Sequence, residues 1–171
     1  MALDLSPTPG FRILEGFKVP ILTFRDGERS VRWQPPADWN LSAGEAKLLL
    51  SSTEFAGATI EVQVLPRQPG GRDVLATPEQ RQTWLRRFLP QDARDASVAA
   101  ENGSPFTLRG LPSVETVFQF ASQARRLTSS ISVVDLNEHQ RFVLNITSRA
   151  VDFATVREAA IASMFSWSWA E

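Results

Sequence analysis

Thr59-Ile60-Glu61-Val62-Gln63-Val64 alternates strictly between apolar and polar residues. A period of two puts Ile60, Val62 and Val64 on one face, which defines a strand with one buried side. After a loop from Pro66 to Arg72, Thr77-Pro78-Glu79-Gln80 opens a segment of a different kind. Threonine caps a helix, proline takes its first position, and glutamine three residues on can close a capping box. Trp84, Leu85, Phe88 and Leu89 form the apolar stripe of that helix, and Pro90 ends it near residue 89.

Strand patterns lie on both sides of this pair. Pro20-Ile21-Leu22-Thr23-Phe24-Arg25 and Arg29-Ser30-Val31-Arg32-Trp33 flank Asp26-Gly27, whose positive φ values suit a tight hairpin. In the expected register Leu22 faces Val31 and Phe24 faces Arg29. Gln34-Pro35-Pro36-Ala37-Asp38-Trp39 must leave the ladder, because a proline pair removes two donors. A third strand spans about Ala46 to Ser51. Residues 1 to 10 read as an irregular arm, and residues 91 to 112 are weakly patterned, with a turn near Asn102-Gly103. Strands resume from Val114: Thr116, Phe118 and Phe120 share a face, Ile131 and Val133 another, Phe142, Leu144 and Ile146 a third. Leu136-Asn137-Glu138-His139 is the hairpin loop between the last two. Asp152 can cap a closing helix with Phe153, Val156, Ala160, Ile161, Met164 and Phe165 as its stripe. Ser166-Trp167-Ser168-Trp169 alternates, so the tail is expected to be extended. The chain shows no internal repeat.

A length of 171 residues with 43% hydrophobic and 22% charged residues lies in the ordinary globular range and suffices for a real core. The formal net charge is -1 and the pI about 5.9, without the basic balance that nucleic-acid binding by bulk electrostatics requires. The absence of cysteine excludes disulfides, thiolate catalysis, zinc-thiolate sites and iron–sulfur clusters. No apolar run reaches the ~20 residues that cross a bilayer as a helix. Met1-Ala2-Leu3-Asp4-Leu5-Ser6-Pro7-Thr8-Pro9 lacks the basic and apolar regions of a signal peptide and reads as a mature N-terminus. Periplasmic or exported and cytoplasmic placement stay equally open.

Two local features carry a family resemblance. Pro36-Ala37-Asp38-Trp39 resembles the Pro-x-x-Trp corner that follows the first strands in the PsbP/Mog-like superfamily. Ile161-Ala162-Ser163-Met164-Phe165-Ser166-Trp167 resembles its closing helix with a serine–aromatic end. A middle helix entered from Pro78-Glu79 fits as well. The resemblance spans roughly residues 11 to 169. It implies an α+β fold, with an antiparallel sheet of six or more strands flanked by helices in an α/β/α sandwich. On this reading an arm over 1–10 precedes a single domain over 11–171. The chain departs from the pattern in having no tyrosine; Phe118, Phe120 and Phe142 stand where the family often carries tyrosines.

Catalytic constellations are sparse. The only histidine, His139, lies in Asp135-Leu136-Asn137-Glu138-His139, a polar hairpin tip without the ligand spacing and support of a metal site. No Gly-x-Ser-x-Gly elbow, phosphate loop or dinucleotide fingerprint occurs. No cofactor is expected. Of five tryptophans, Trp33, Trp39 and Trp84 are expected in the core. Trp167 and Trp169 fall on one side of the tail with Phe165 leading into it, a candidate partner-binding set. Arg81, Arg86 and Arg87 on the first helix form a second candidate set, for an acidic partner. The superfamily's members act as accessory subunits, small-GTPase binders, envelope lipoproteins or secretion chaperones. The resemblance therefore implies a non-enzymatic protein-interaction or accessory module of a bacterial cell. A small-ligand or lipid carrier and an enzyme with dispersed carboxylates are the alternatives.

Overall fold

The computed structural model describes residues 3–44, 47–67 and 77–169. Its strands, in chain order, are β1 (Leu3–Leu14), β2 (Phe17–Asp26), β3 (Arg29–Trp33), β4 (Trp39–Gly44), β5 (Lys47–Ser52) and β6 (Thr59–Pro66), then β7 (Arg94–Leu108), β8 (Leu111–Ser122), β9 (Arg125–Asp135), β10 (Gln140–Arg149) and β11 (Ser168–Trp169). Helix α1 (Pro78–Leu85) follows β6, and α2 (Phe153–Met164) follows β10. All strand pairings are antiparallel. The class is thus α+β, dominated by strands. They form a seven-stranded sheet in the order β4-β5-β6-β10-β9-β8-β7 and a four-stranded sheet in the order β1-β2-β3-β11.

Both faces of the large sheet carry apolar residues. Phe142, Leu144 and Ile146 on β10 join Ile60 and Val62 on β6 in one core, completed by Phe24 and Trp33 from the small sheet and Val156, Ala160 and Met164 from α2. Val143 of the same strand points the other way, to Phe118, Phe120, Ile131, Val133 and Leu85. The register explains the split: Val143 pairs with Val133 and Asn145 with Ile131, so odd positions of both strands meet on the α1 side.

Thr77 caps α1 as expected, its hydroxyl accepting from the Gln80 N–H at 3.2 Å. The helix ends at Leu85, and a 3-10 turn over Arg86–Phe88 finishes the segment. At α2, Asp152 holds the cap position without capping; its carboxylate instead accepts from Arg149 Nε at 2.7 Å.

Several expectations are corrected. Residues 3–10 are not an irregular arm but the first part of β1, with Leu3 and Leu5 in the core. Pro7 and Pro9 are tolerated because β1 is an edge strand, and a register shift falls between Asp4 and Thr8. The β2–β3 pairing slides so that Leu22 meets Trp33 and Phe24 meets Val31. Gly27 carries φ +64 and Glu28 does not share it, so the turn is of the II′ kind with glycine first. Residues 94–108 form a full strand whose three register shifts break any clean period, and Asn102-Gly103 lies within it. Trp33 is fully buried, whereas Trp39 and Trp84 are only half-buried. The expected antiparallel sheet of six or more strands is present with seven; a second sheet of four strands and the shortness of the two helices depart from the flanking layers expected.

Candidate functional site

The end of α2 is turned sharply. The N–H groups of Phe165, Ser166 and Trp167 donate to Ala162, Ser163 and Met164 carbonyls at 3.2, 3.0 and 3.1 Å, a tightening of the last turn that satisfies otherwise orphaned acceptors. The Ser166 hydroxyl accepts from the Gln34 N–H at 2.8 Å and donates to the Ser163 carbonyl at 2.6 Å. This staples the helix end to the exit of β3 and sends the chain into β11, where Trp169 pairs with Val31.

The three candidate aromatics therefore meet three environments. Phe165 stays largely exposed. Trp167 turns inward and stacks on Phe24 at 5.3 Å, with Trp33 at 5.7 Å and Phe142 edge-on at 5.5 Å. Trp169 is 42% exposed and lies between the guanidinium groups of Arg29 at 5.2 Å and Arg109 at 5.3 Å, close enough for cation–π attraction. All three aromatics line one open cleft of about 320 Å³, with Val31, Arg109 and Met164 among the other walls.

Arg109 was not visible as a site residue in the sequence. It occupies the tight β7–β8 turn with φ +56, followed by Gly110 at +76. From there it pairs with Asp26, the last residue of β2, which is only 1% exposed. Burial lowers the Arg109 pKa from its ordinary value, the expected sign for a cation taken from water. Asp26 Oδ1, Arg109 Nε and the indole Nε1 of Trp167 are buried without a hydrogen-bond partner. Unsatisfied buried polar atoms are rare, and each calls for an explanation. Of these residues Arg109 and Trp167 line the cleft and Asp26 pairs with Arg109. Two further residues with such atoms, Arg81 and Ser132, are not among its walls.

The α1 arginines lie elsewhere, against the opposite face of the large sheet. Arg81 pairs with Glu101 at 3.1 Å. Arg86 donates to the Ala96 carbonyl at 3.0 Å and covers Phe118. Arg87 lies over Trp84 and Phe88. The structure does not bring these residues together with the C-terminal aromatics.

A second polar cluster lies under α2. Glu115 of β8, fully buried, accepts from Arg157 Nε and Nη2 at 2.7 Å each and from Asn102 at 2.7 Å, and also from Ser130. Burial is the largest single influence and raises its pKa. The Arg157, Ser130 and Asn102 donors and the Arg157 charge together outweigh it and leave the carboxyl below its ordinary value. Arg157 is raised in turn, first by its bonds to Glu115. No group of three or more histidines or carboxylates that could hold a metal occurs among the described residues. His139, at the β9–β10 loop, donates its backbone N–H to Asn137 Oδ1 at 2.8 Å. No described helix is long and apolar enough to cross a membrane.

Neither a protein-family model nor a curated protein matches the chain. Solved structures do. Similar to it are LpqN of Mycobacterium tuberculosis, involved in cell envelope biogenesis, with TM-score 0.59 and 15% identity over 100% of this chain and 93% of that one; cyanobacterial PsbP (CyanoP) of Synechocystis, with TM-score 0.56 and 10% identity over 86% and 91%; and the Ran-binding protein Mog1p of Saccharomyces cerevisiae, with TM-score 0.53 and 10% identity over 79% and 85%. The chain has the PsbP/Mog-like fold. At these identities the likeness defines the fold and leaves function to the site.

Proposed function

We propose that the protein is a non-enzymatic accessory module that docks another protein at the cleft lined by Phe165, Trp167, Trp169 and Arg109, with Arg29 against the Trp169 ring. One observation carries the reading. A half-exposed indole is held between two guanidinium groups at the mouth of a cleft whose floor holds an unpartnered indole N–H. Tryptophan and arginine dominate interface hot spots, because they combine large apolar area with directed donors at low entropic cost. The partner that suits this surface presents an acceptor for Trp167 Nε1 and an acidic or carbonyl group for the arginines. The Ran-binding activity named for Mog1p is in keeping with protein docking on this fold. In this reading Arg81 and Arg86, engaged with Glu101 and Ala96 of β7, hold the α1 segment to the sheet, and Arg87 packs within the segment on Trp84 and Phe88.

The alternatives find less support. A carrier needs space between the sheets and α2, but Phe24, Trp33, Phe142, Met164 and Trp167 fill that space. An enzyme with dispersed carboxylates needs an accessible pair, whereas Glu115 is sealed by Arg157, Asn102 and Ser130. The test is purification of a stoichiometric complex from the native cell, followed by Trp169→Ala. Loss of the complex with an unchanged melting temperature is expected. A complex that survives both Trp169→Ala and Arg109→Gln refutes the assignment of the cleft.

A further inference from the structure

The distal half of the β1–β2 ribbon stands clear of the rest of the molecule. Every residue from Thr8 to Lys18 is exposed. The ladder continues to Leu14↔Phe17 and is closed by Glu15-Gly16 with φ +50 and +85. Four of the large hydrophobic residues exposed among the described ones lie here: Phe11, Ile13, Leu14 and Phe17, from 49% to 74% exposed. The register divides them. Phe11 and Ile13 share one face with their partners Pro20 and Lys18, whereas Leu14 and Phe17 share the other with Arg12 and Val19. A partner with a flat or grooved surface covers one face and leaves the other in water. Covering both requires surroundings that close around the finger.

The finger carries one cation on each face, and both are directed away from its tip. Lys18, opposite Ile13, runs back to lie over the Phe11 ring at 4.7 Å. Arg12 Nη2 donates to Gln34 Oε1 at 2.8 Å, beside the exit of β3. Apolar side chains thus occupy the outer part, and a basic group marks the base on either side. Between Asp4 and Asp26 the only acid is Glu15, at the turn, against Arg12, Lys18 and Arg25. The ribbon is therefore locally basic in a chain of net charge -1.

We propose that this finger enters the interfacial layer of an anionic lipid bilayer, with Phe11, Ile13, Leu14 and Phe17 at the acyl boundary and Arg12 and Lys18 among the headgroups. The three strand steps from Phe11 to Leu14 span roughly 10 Å. That matches the depth of about 5–10 Å to which interfacial segments bury their apolar residues. Basic side chains folded back along apolar surface keep their charge in the polar layer, and anionic headgroups attract them. Two features limit the depth. The open backbone edges of a two-stranded ribbon cannot enter hydrocarbon. The Glu15 carboxylate costs little near the interface and more toward the bilayer centre. The contact is shallow and reversible. None of these residues is among the walls of the cleft assigned above, so the inference does not depend on that reading.

The experiment is co-sedimentation of the 171-residue chain with vesicles of phosphatidylcholine alone or of phosphatidylcholine and phosphatidylglycerol in equal parts. Binding to the mixed vesicles is expected, weaker on phosphatidylcholine alone and weakened by salt. Ile13→Asp and Phe17→Asp, on opposite faces, should each lower the partition coefficient by roughly tenfold or more. Both positions are exposed, so neither change opens a cavity and the melting temperature should hold. Glu15→Gln should raise the partition coefficient several-fold, because its carboxylate is what resists entry. A wild type that does not bind the mixed vesicles overturns the proposal. So does binding lost in Phe17→Asp but kept in Ile13→Asp, which means docking by one face. Binding kept in both variants, or weakened by Glu15→Gln, overturns it as well, since the tip then stays outside the bilayer. A wild-type dimer dispersed by both variants in the absence of lipid assigns the finger to a second copy instead.

Discussion

Replacing Arg157 by methionine should destabilise the protein by an amount that depends on pH. Glu115 is fully buried and Arg157 is 30% exposed, with two 2.7 Å bonds between them. Removing one partner of a buried pair typically costs about 3–5 kcal/mol. The lower end applies here, because the partly exposed arginine leaves a path for water. For a chain of this size each kcal/mol moves the melting temperature by about 2–4 °C, so the variant should melt roughly 6–12 °C lower at neutral pH. In the wild type the Glu115 carboxyl is held below its ordinary value. Its stabilisation is therefore complete above the unfolded pKa of about 4.3 and is lost as the pH falls through the depressed folded pKa. Without Arg157, burial is opposed only by Ser130 and Asn102, and the folded pKa should rise above the unfolded one. The contribution of the group then reverses: it is present below about pH 4.3 and lost as pH rises. The gap between the two proteins, followed by calorimetry from pH 7 to pH 4, should narrow on acidification. The double variant Arg157→Met/Glu115→Gln should recover much of the loss at pH 7, since no charge remains buried. A deficit below about 1 kcal/mol, the worth of a surface pair, or a gap independent of pH would refute the reasoning.

Leu5→Ala should cost about 2–5 kcal/mol in denaturant unfolding, the usual loss for a buried leucine; a cost near zero would mean that β1 is not part of the core. Trp33 is fully buried and donates Nε1–H to Ser163 Oγ at 3.3 Å, so Trp33→Ala should cost about 3–5 kcal/mol and clearly more than Trp39→Ala. Equal losses at the two tryptophans would show that the corner residue bears as much packing as the core one. Trp167→Ala should lower stability while Trp169→Ala leaves it nearly unchanged, because only the inner ring stacks on Phe24 and Phe142; the reverse order in thermal melts would contradict the placement of the tail.

What could be read in advance followed the regularity of each segment. β6, β8 and β10 keep a clean period of two, and the Thr77-Pro78 entry marks α1 by cap chemistry alone. β7 escaped notice because its register shifts between Arg94 and Ser97, Val98 and Ala100, and Gly103 and Thr107 scramble the alternation. β1 escaped because Pro7 and Pro9 mimic a loop, and only the edge position makes them harmless. The faces of β9 and β10 are individually legible, yet nothing local says that Ile131 and Phe142 belong to opposite cores. The candidate cleft was half legible. Composition singles out Trp167 and Trp169, yet nothing in their alternation says that Trp167 packs inward on Phe24 while Trp169 stays 42% exposed. Arg109 and Asp26 are not singled out, since a charge at a turn and a charge at a strand end carry no mark of meeting until two sheets are packed.

The place of β10 in the large sheet bears on how the chain is built. This strand joins β6 on one side to β9 on the other, and it ends at Arg149. Until that residue has left the ribosome, β4, β5 and β6 form a partial sheet whose inner edge has no neighbour. The later strands form a separate ribbon that cannot close on it. Synthesis therefore exposes the edge of Ile60, Val62 and Val64 for about half of its duration, roughly 4–17 s at about 5–20 residues per second. Closure must then join segments far apart in sequence, the slow kind of event in folding. Truncated or stalled chains should be the aggregating species, and a holdase would act before Arg149 emerges.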